Sequence, residues 1–378
     1  LILAFALLKK NELDPTLFVA LLISTVIVLL QRVNNMTITA HRAFKLFHIE
    51  SRQMIWSALL NFILIVLLAY RFEVYGFMVA VALGMLFNIV YLWAQKKIRF
   101  QLANPFQNIA YAIKIGFPIL ILTLLNACFL SIDKIMIAGF LGLEALGLYS
   151  IAILAFNSLQ SLPNAFGIVL FPNFQEIHAK NESNTKVLMG QLWESVRNYV
   201  WVMPFFMGAA WIISPYFVSW VLPDFKDGIA SMKILILCVY FAGVSIPFRH
   251  YLITLKKDLI VIAISAVAIL IAVILDYYLI HIGQGIQGVA LATTLVFFIH
   301  FLMLFALCHT QGFGFAEIIG KLGYIAFFFA TSCLVIYAVD KLLRIYHPVS
   351  GLELLLKLVV FIFVYLAPMI HFLKRIKH

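Results

Sequence analysis

From Lys114 to Pro172 the chain reads KIGFPILILTLLNACFLSIDKIMIAGFLGLEALGLYSIAILAFNSLQSLPNAFGIVLFP. Its only charged residues are Lys114, Asp133, Lys134 and Glu144. Two apolar runs fill the stretch, 111–137 and 147–172. Each exceeds the about 20 residues that an α-helix needs to cross the hydrocarbon core of a bilayer. The runs are continuous rather than alternating, which excludes a β-barrel.

The rest of the chain repeats this pattern. Of 378 residues, 64% are hydrophobic and 11% charged, against about 45–50% and about 25% in a soluble domain. No water-soluble fold hides that much apolar surface. A cytosolic enzyme, a nucleic-acid module and a disordered chain are therefore excluded. Eleven complete spans are predicted: 17–37, 50–70, 74–94, 111–137, 147–172, 193–217, 229–251, 258–281, 286–308, 317–340 and 351–373. The fold class is all-α and polytopic. The longest connector is 173–192, so no extramembrane domain is available for separate chemistry. Cys128, Cys238, Cys308 and Cys333 lie in apolar runs without a CxxC spacing, and read as packing residues rather than metal ligands or disulfides.

The net charge is +11, and its placement sets a topology. One set of alternate connectors carries Arg42, Lys45, Arg52, Lys96, Lys97, Arg99, Lys180, Lys186, Arg249, Lys256, Lys257, Lys321, Lys374, Arg375 and Lys377. The opposite set carries Lys9, Lys10, Arg71, Lys226, Lys341 and Arg344. The richer side is expected to be cytoplasmic, with the C-terminus inside.

Weak internal matches suggest a repeat. Ile38-Thr39-Ala40-His41-Arg42 pairs with Ile253-Thr254-Leu255-Lys256-Lys257 at an offset of 215, and Gly76 with Gly288 at 212. An even number of spans per repeat keeps both copies in the same orientation, so a parallel repeat is expected. The chain starts at Leu1 with LILAFALL, which reads as the tail of a span. Extrapolating the repeat places about 100 residues before it. The expected parent has 14 helices: two six-helix lobes, related by a pseudo-two-fold axis along the membrane normal, and a terminal pair. Residues 1–108 would be the remainder of the first lobe, 109–312 the second lobe and 313–378 the pair.

Within the opening stretch, the order Gly116-Phe117-Pro118, Asp133-Lys134, Leu141-Gly142, Leu146-Gly147-Leu148-Tyr149-Ser150, Pro163, Pro172 resembles the start of the second lobe in bacterial polysaccharide flippases. These Wzx-like proteins belong to the superfamily that also holds the multidrug and toxin extrusion (MATE) transporters and the lipid II flippases. The resemblance implies a V-shaped cavity between two lobes and alternating access. It implies an undecaprenyl-pyrophosphate-linked oligosaccharide as substrate, carried across the inner membrane during O-antigen and lipopolysaccharide assembly. Implied partners are inner-membrane lipids, a polysaccharide polymerase and chain-length machinery, and no nucleic acid.

The residues supply candidate sites of their own. A charged side chain inside a span costs roughly 2.5–3.5 kcal/mol on insertion scales and persists where it meets water or a partner. Arg32, Arg197 and Arg249 lie toward the predicted inner ends of their spans. They would bind an anionic headgroup in a cavity, or snorkel to the interface. Arg32 and Arg249 are expected at similar depth in opposite lobes. Asn157, Gln160, Ser161 and Asn164 follow i, i+3, i+4, i+7. This stripe lines an aqueous path or bonds a neighbouring helix. Asn126 and Asp133 share a helix face beside Lys134, as a gating or ion-coupling group or as an interhelical pair. His300 is a packing residue or a proton sensor.

No catalytic motif, nucleotide loop, cofactor site or metal site is found. The chain is expected to be a transporter, not an enzyme. The expected function is a lipid-linked oligosaccharide flippase. Rivals are a MATE-type drug/cation antiporter and a lipid II flippase. A membrane polysaccharide polymerase or ligase is the most distant, because it needs a large external loop.

Overall fold

The computed structural model describes residues 15–95, 113, 116–117, 120–121, 123–125, 127–180, 185–309, 315–343, 357–359 and 361. The expected spans 111–137 and 351–373 and the fragment 1–8 lie partly or wholly outside the described residues, as do Asn126, Lys114 and Pro118. All regular structure among the described residues is helical. In chain order the helices are α1 (Pro15–Ala43), α2 (Phe47–Ala94), α3 (Ile132–Phe140), α4 (Leu143–Lys180), α5 (Thr185–Val221), a 3-10 turn (Pro223–Gly228), α6 (Ile229–Thr254), α7 (Asp258–His281), α8 (Gly285–His309) and α9 (Phe315–Leu343). Nine helical segments among the described residues are long and apolar enough to cross a membrane. Large apolar side chains such as Leu29, Phe62, Leu67, Leu154 and Leu270 lie on the outside, as a lipid solvent permits. The chain is a multi-pass, all-α membrane protein.

Two compact units divide the chain at Pro105 and Phe106. In the first, α1 packs on α2. At 48 residues, α2 would be about 72 Å long if straight, far beyond a ~30 Å core. It is a hairpin. Glu73 has φ 50° and ψ −127°, and the chain reverses there. Gly76 then lies against the Leu68 backbone and Gly84 against the Asn61 amide, with no room for a Cβ at either. The expected spans 50–70 and 74–94 are its two arms. At the start of the hairpin, Arg42 Nε donates to both oxygens of buried Glu50, at 2.9 and 3.0 Å.

In the second unit α6 is the central helix, packed by α4, α5 and α8. Every residue from Cys238 to Phe248 is buried. Close approach to α4 depends on two glycines. Gly243 faces Pro163, and Gly167 faces Ile246 and His250. Tyr199 Oη of α5 donates to the Pro163 carbonyl at 2.7 Å, and Tyr240 Oη of α6 to the Ile325 carbonyl of α9 at 2.7 Å.

The expected long connector 173–192 is mostly helix. α4 continues to Lys180 and α5 resumes at Thr185. Phe174, Leu188, Met189 and Leu192 are buried, so apolar packing carries both helices onward. Pro172 does not stop α4, because proline removes one donor but leaves the remaining hydrogen bonds of a packed helix in place.

The two units share a backbone device that fixes the register of the repeat. Lys45 and Lys256 both have positive φ, at 54° and 59°. Around them the turn bonds recur: Lys45 N to Arg42 O, Leu46 N to His41 O and Ile49 N to Leu46 O match Lys256 N to Ile253 O, Lys257 N to Leu252 O and Ile260 N to Lys257 O. Every atom pair is displaced by 211 residues. α1 and α6 end, and α2 and α7 begin, at the same displacement. Burial repeats it: Glu50, Gln53 and Ser57 match Val261, Ile264 and Ala268. Past the hairpin the displacement is 212. There Gly76, Ala80, Gly84, Asn88, Ile89 and Leu92 match Gly288, Ala292, Val296, His300, Phe301 and Leu304, all buried. The offset of 215 from the Ile-Thr dipeptides is therefore corrected to 211. That match followed residue identity, whereas the turn hydrogen bonds set the frame. In this register Arg32 falls on Gly243, six residues before Arg249.

Candidate functional site

A cavity of about 740 Å³ lies within the second unit. α4 supplies one wall through Phe156, Gln160, Asn164, Phe171 and Gln175. At 100° per residue these five fall within one ~100° arc of the helix. Ser161 lies ~40° beyond the edge of that arc. It is exposed, and its hydroxyl turns back to the Ser158 carbonyl at 2.6 Å. The expected stripe of four thus divides. Gln160 and Asn164 face the cavity, Ser161 does not, and Asn157 borders a separate pocket of about 20 Å³.

α6 supplies the opposite wall through Ala242, Ser245, Ile246, Arg249, His250 and Ile253, and Lys256 follows it. Asp258, Val261 and Ser265 come from α7, and Phe297 and His300 from α8. From Phe156 to Gln175 the cavity runs ~28 Å along α4. One end is basic, with Arg249, His250 and Lys256. The other is walled by Phe129, Phe156 and Phe297. Asp258 is the acidic residue on the lining, and Arg249 pairs with no carboxylate among the described residues.

Three buried polar atoms on this lining have no hydrogen-bond partner among the described residues: Gln160 Oε1, His250 Nδ1 and His300 Nδ1. A buried polar group without a partner costs about 1–3 kcal/mol. Such groups cluster where water or a ligand supplies the bond. His250 lies beside Phe171, ring centroids 5.0 Å apart, and His300 beside Phe129 at 5.6 Å. The imidazoles lie against apolar rings, with Nδ1 of each left available.

Asp133 is buried on α3, with Oδ1 accepting from the Lys134 amide at 2.8 Å and Oδ2 from Tyr149 Oη at 3.1 Å. Lys134 Nζ donates to the Leu130 carbonyl at 2.6 Å. Asp133, Lys134 and Asn157 border the small pocket together with Thr293. A second buried carboxylate, Asp276 of α7, is near enough to interact with Asp133, and its Oδ1 has no partner among the described residues.

The other expected arginines lie elsewhere. Arg197 is exposed on α5 and lines a separate groove of about 450 Å³ with Trp193, Glu194, Lys321 and Tyr324. Arg32 is exposed on α1 of the first unit. Of the cavity residues, His250, Lys256, Gln175 and Ser245 were not singled out from the sequence. Gln175 carries a readable signal, since it continues the Gln160–Asn164 face once α4 is extended past Pro172.

A family model described as "Polysaccharide biosynthesis protein" matches residues 4–225. Among solved structures, "Lipid II flippase MurJ, inward closed conformation" is similar with a TM-score of 0.66 and 14% identity. That likeness covers 100% of this chain and 82% of the other, and it is a likeness of fold. No curated protein matches the sequence.

Proposed function

Since the chain belongs to the polysaccharide biosynthesis protein family, we propose that it is a flippase for polyprenyl-pyrophosphate-linked oligosaccharide, working by alternating access in the bacterial inner membrane. The observation that carries this reading is the second-unit cavity, in which Arg249 stands without a carboxylate partner among the described residues and faces a wall of unsatisfied amide and imidazole atoms.

A guanidinium in a low-dielectric site is retained where it meets an anion. Pyrophosphate fits: it offers planar pairs of oxygens to Arg249, and His250 and Lys256 add donors beside it. Gln160, Asn164 and Gln175 present amides to sugar hydroxyls, and Phe156, Phe171 and Phe297 offer flat faces to sugar C–H groups. The apolar tail stays in lipid. Asp133 and Asp276 form a buried acidic pair that takes up a proton or cation as the carrier changes state. The Lys and Arg asymmetry puts the basic cavity end and the C-terminus at the cytoplasmic side.

A cationic drug is a poor match to this lining, because Arg249 and Lys256 repel it. Lipid II carries the same pyrophosphate and differs in its glycan, so the amide wall, not Arg249, separates the two flippase readings.

Export of glycan in cells tests the assignment. Arg249→Gln at native expression should lower export more than tenfold, about 1.4 kcal/mol or more. Arg249→Lys should recover part of it, since a point charge cannot reproduce the fork. Export by Arg249→Gln at the unmutated rate would remove the pyrophosphate assignment. In the same cells a Cys at Asp224 should react with an impermeant maleimide from outside, and a Cys at Lys180 should not; the reverse would invert the topology.

A further inference from the structure

The register of 211 places the cavity wall of α6 onto α1. Ala242, Ser245, Ile246, Arg249 and His250 correspond to Gln31, Asn34, Asn35, Ile38 and Thr39. On α8, at 212, His300 corresponds to Asn88 of α2. We infer that Gln31, Asn34, Asn35 and Thr39 of α1, with Asn88 of α2, form a second recognition face on the first unit, built for the hydroxyl-rich glycan rather than for the pyrophosphate. The inference rests on the flippase reading above and assigns this face one part of that substrate.

Three observations support it. First, the face is polar where a membrane helix need not be. Gln31, Asn35 and Thr39 are exposed on α1; Thr39 donates to the Asn35 carbonyl at 2.8 Å, but hydrocarbon around the unbonded amides of Gln31 and Asn35 would cost several kcal/mol. Such groups belong beside water or a hydrogen-bonding ligand. Second, two amides on this face are already unsatisfied. Asn34 Oδ1 and Asn88 Oδ1 are buried without a partner among the described residues, as His300 Nδ1 is at the position equivalent to Asn88. Third, the charge has changed while the frame has not. Ile38 stands where the second unit has Arg249, and these five residues carry no ionisable group. Neutral donors and acceptors select polyols, whereas an anion needs a cation. Arg32 takes the position of Gly243 and lies ~20° beyond Thr39, at the edge of this face.

The test uses two probes in nanodiscs holding the full chain: undecaprenyl pyrophosphate, and the lipid-linked glycan extracted from cells that express the chain. The triple variant Gln31→Ala, Asn35→Ala, Thr39→Ala should bind the glycan-bearing lipid about tenfold more weakly. Its affinity for the bare lipid should change by less than about twofold. Asn35→Gln, which keeps an amide, should lie between wild type and the triple variant. All three side chains are exposed, and an unchanged thermal midpoint confirms folding. Unchanged affinity for the glycan-bearing lipid overturns the inference, and so does equal weakening toward both probes. Arg249→Gln should weaken both. If it weakens neither, the flippase reading fails instead, so the two failures are told apart.

Discussion

The turn joining α1 to α2 and the turn joining α6 to α7 share hydrogen bonds, dihedral angles and burial, but not side chains. The second unit fills its buried stripe with Val261, Ile264, Ala268 and Ala272; the first has Glu50, Gln53, Ser57 and Asn61 in the same places. The backbone frame is therefore set by turn geometry and by where small residues let helices meet. Side-chain chemistry on that frame is free to diverge, one copy toward cation and imidazole, the other toward neutral amides. Local ion pairs and size swaps accommodate the divergence, and each can be exchanged between the copies.

The largest effect should come from the Arg42–Glu50 pair, whose second-unit counterparts are Ile253 and Val261. Arg42→Ala leaves a buried carboxylate without its partner and should cost about 3 kcal/mol or more. Thermal unfolding in detergent should show this as a midpoint several degrees lower. Arg42→Ile with Glu50→Val copies the other unit and should recover most of the loss, because a buried pair replaced by apolar groups of similar size is often neutral. A double variant no more stable than Arg42→Ala would break the equivalence of the two turns.

A smaller effect should follow a swap of sizes. Asn61 rests against Gly84, while Ala272 and Val296 share one apolar cluster in the second unit. Gly84→Val alone overpacks the hairpin and should cost about 2 kcal/mol. Adding Asn61→Ala should restore most of it, since volume is conserved across the contact. Additive losses on the same midpoint assay would show that positions 61 and 84 are not coupled.

The smallest concerns Glu73, whose φ of 50° matches the 54° of Gly285 at the equivalent turn. A side chain is strained there and glycine is not. Glu73→Gly should therefore stabilise the protein by about 1 kcal/mol, and Gly285→Ala should destabilise it by a similar amount. Midpoints moving in the opposite directions would contradict the strain argument.

Helices and spans were legible from the length of the apolar runs, and a few of the cavity-lining positions from their polarity. Gln160, Asn164, Arg249 and His300 are polar groups in apolar runs, and a membrane makes such groups conspicuous. Depth and lateral position were less legible. Arg197 and Arg249 both read as inner-end arginines, yet one lies in the α5–α9 groove and the other in the cavity. Sequence spacing gives position along one helix, not which neighbour covers it. The continuation of α4 past Pro172 was hidden because proline is a local signal, and packing of Phe174 outweighs it. The repeat register was misread at Ile38 because two shared residues are weaker evidence than one turn's hydrogen bonds.

The hairpin at Glu73 also bears on how the chain is made. Alone among acyl chains, the first arm of α2 would leave Gln53 without a partner and the bonded Ser57 and Asn61 facing lipid; the second arm brings Gly84 and Gly76, against which it closes. Insertion of the two arms as a pair would avoid that exposure, at a wait of a few seconds for synthesis at about 5–20 residues per second.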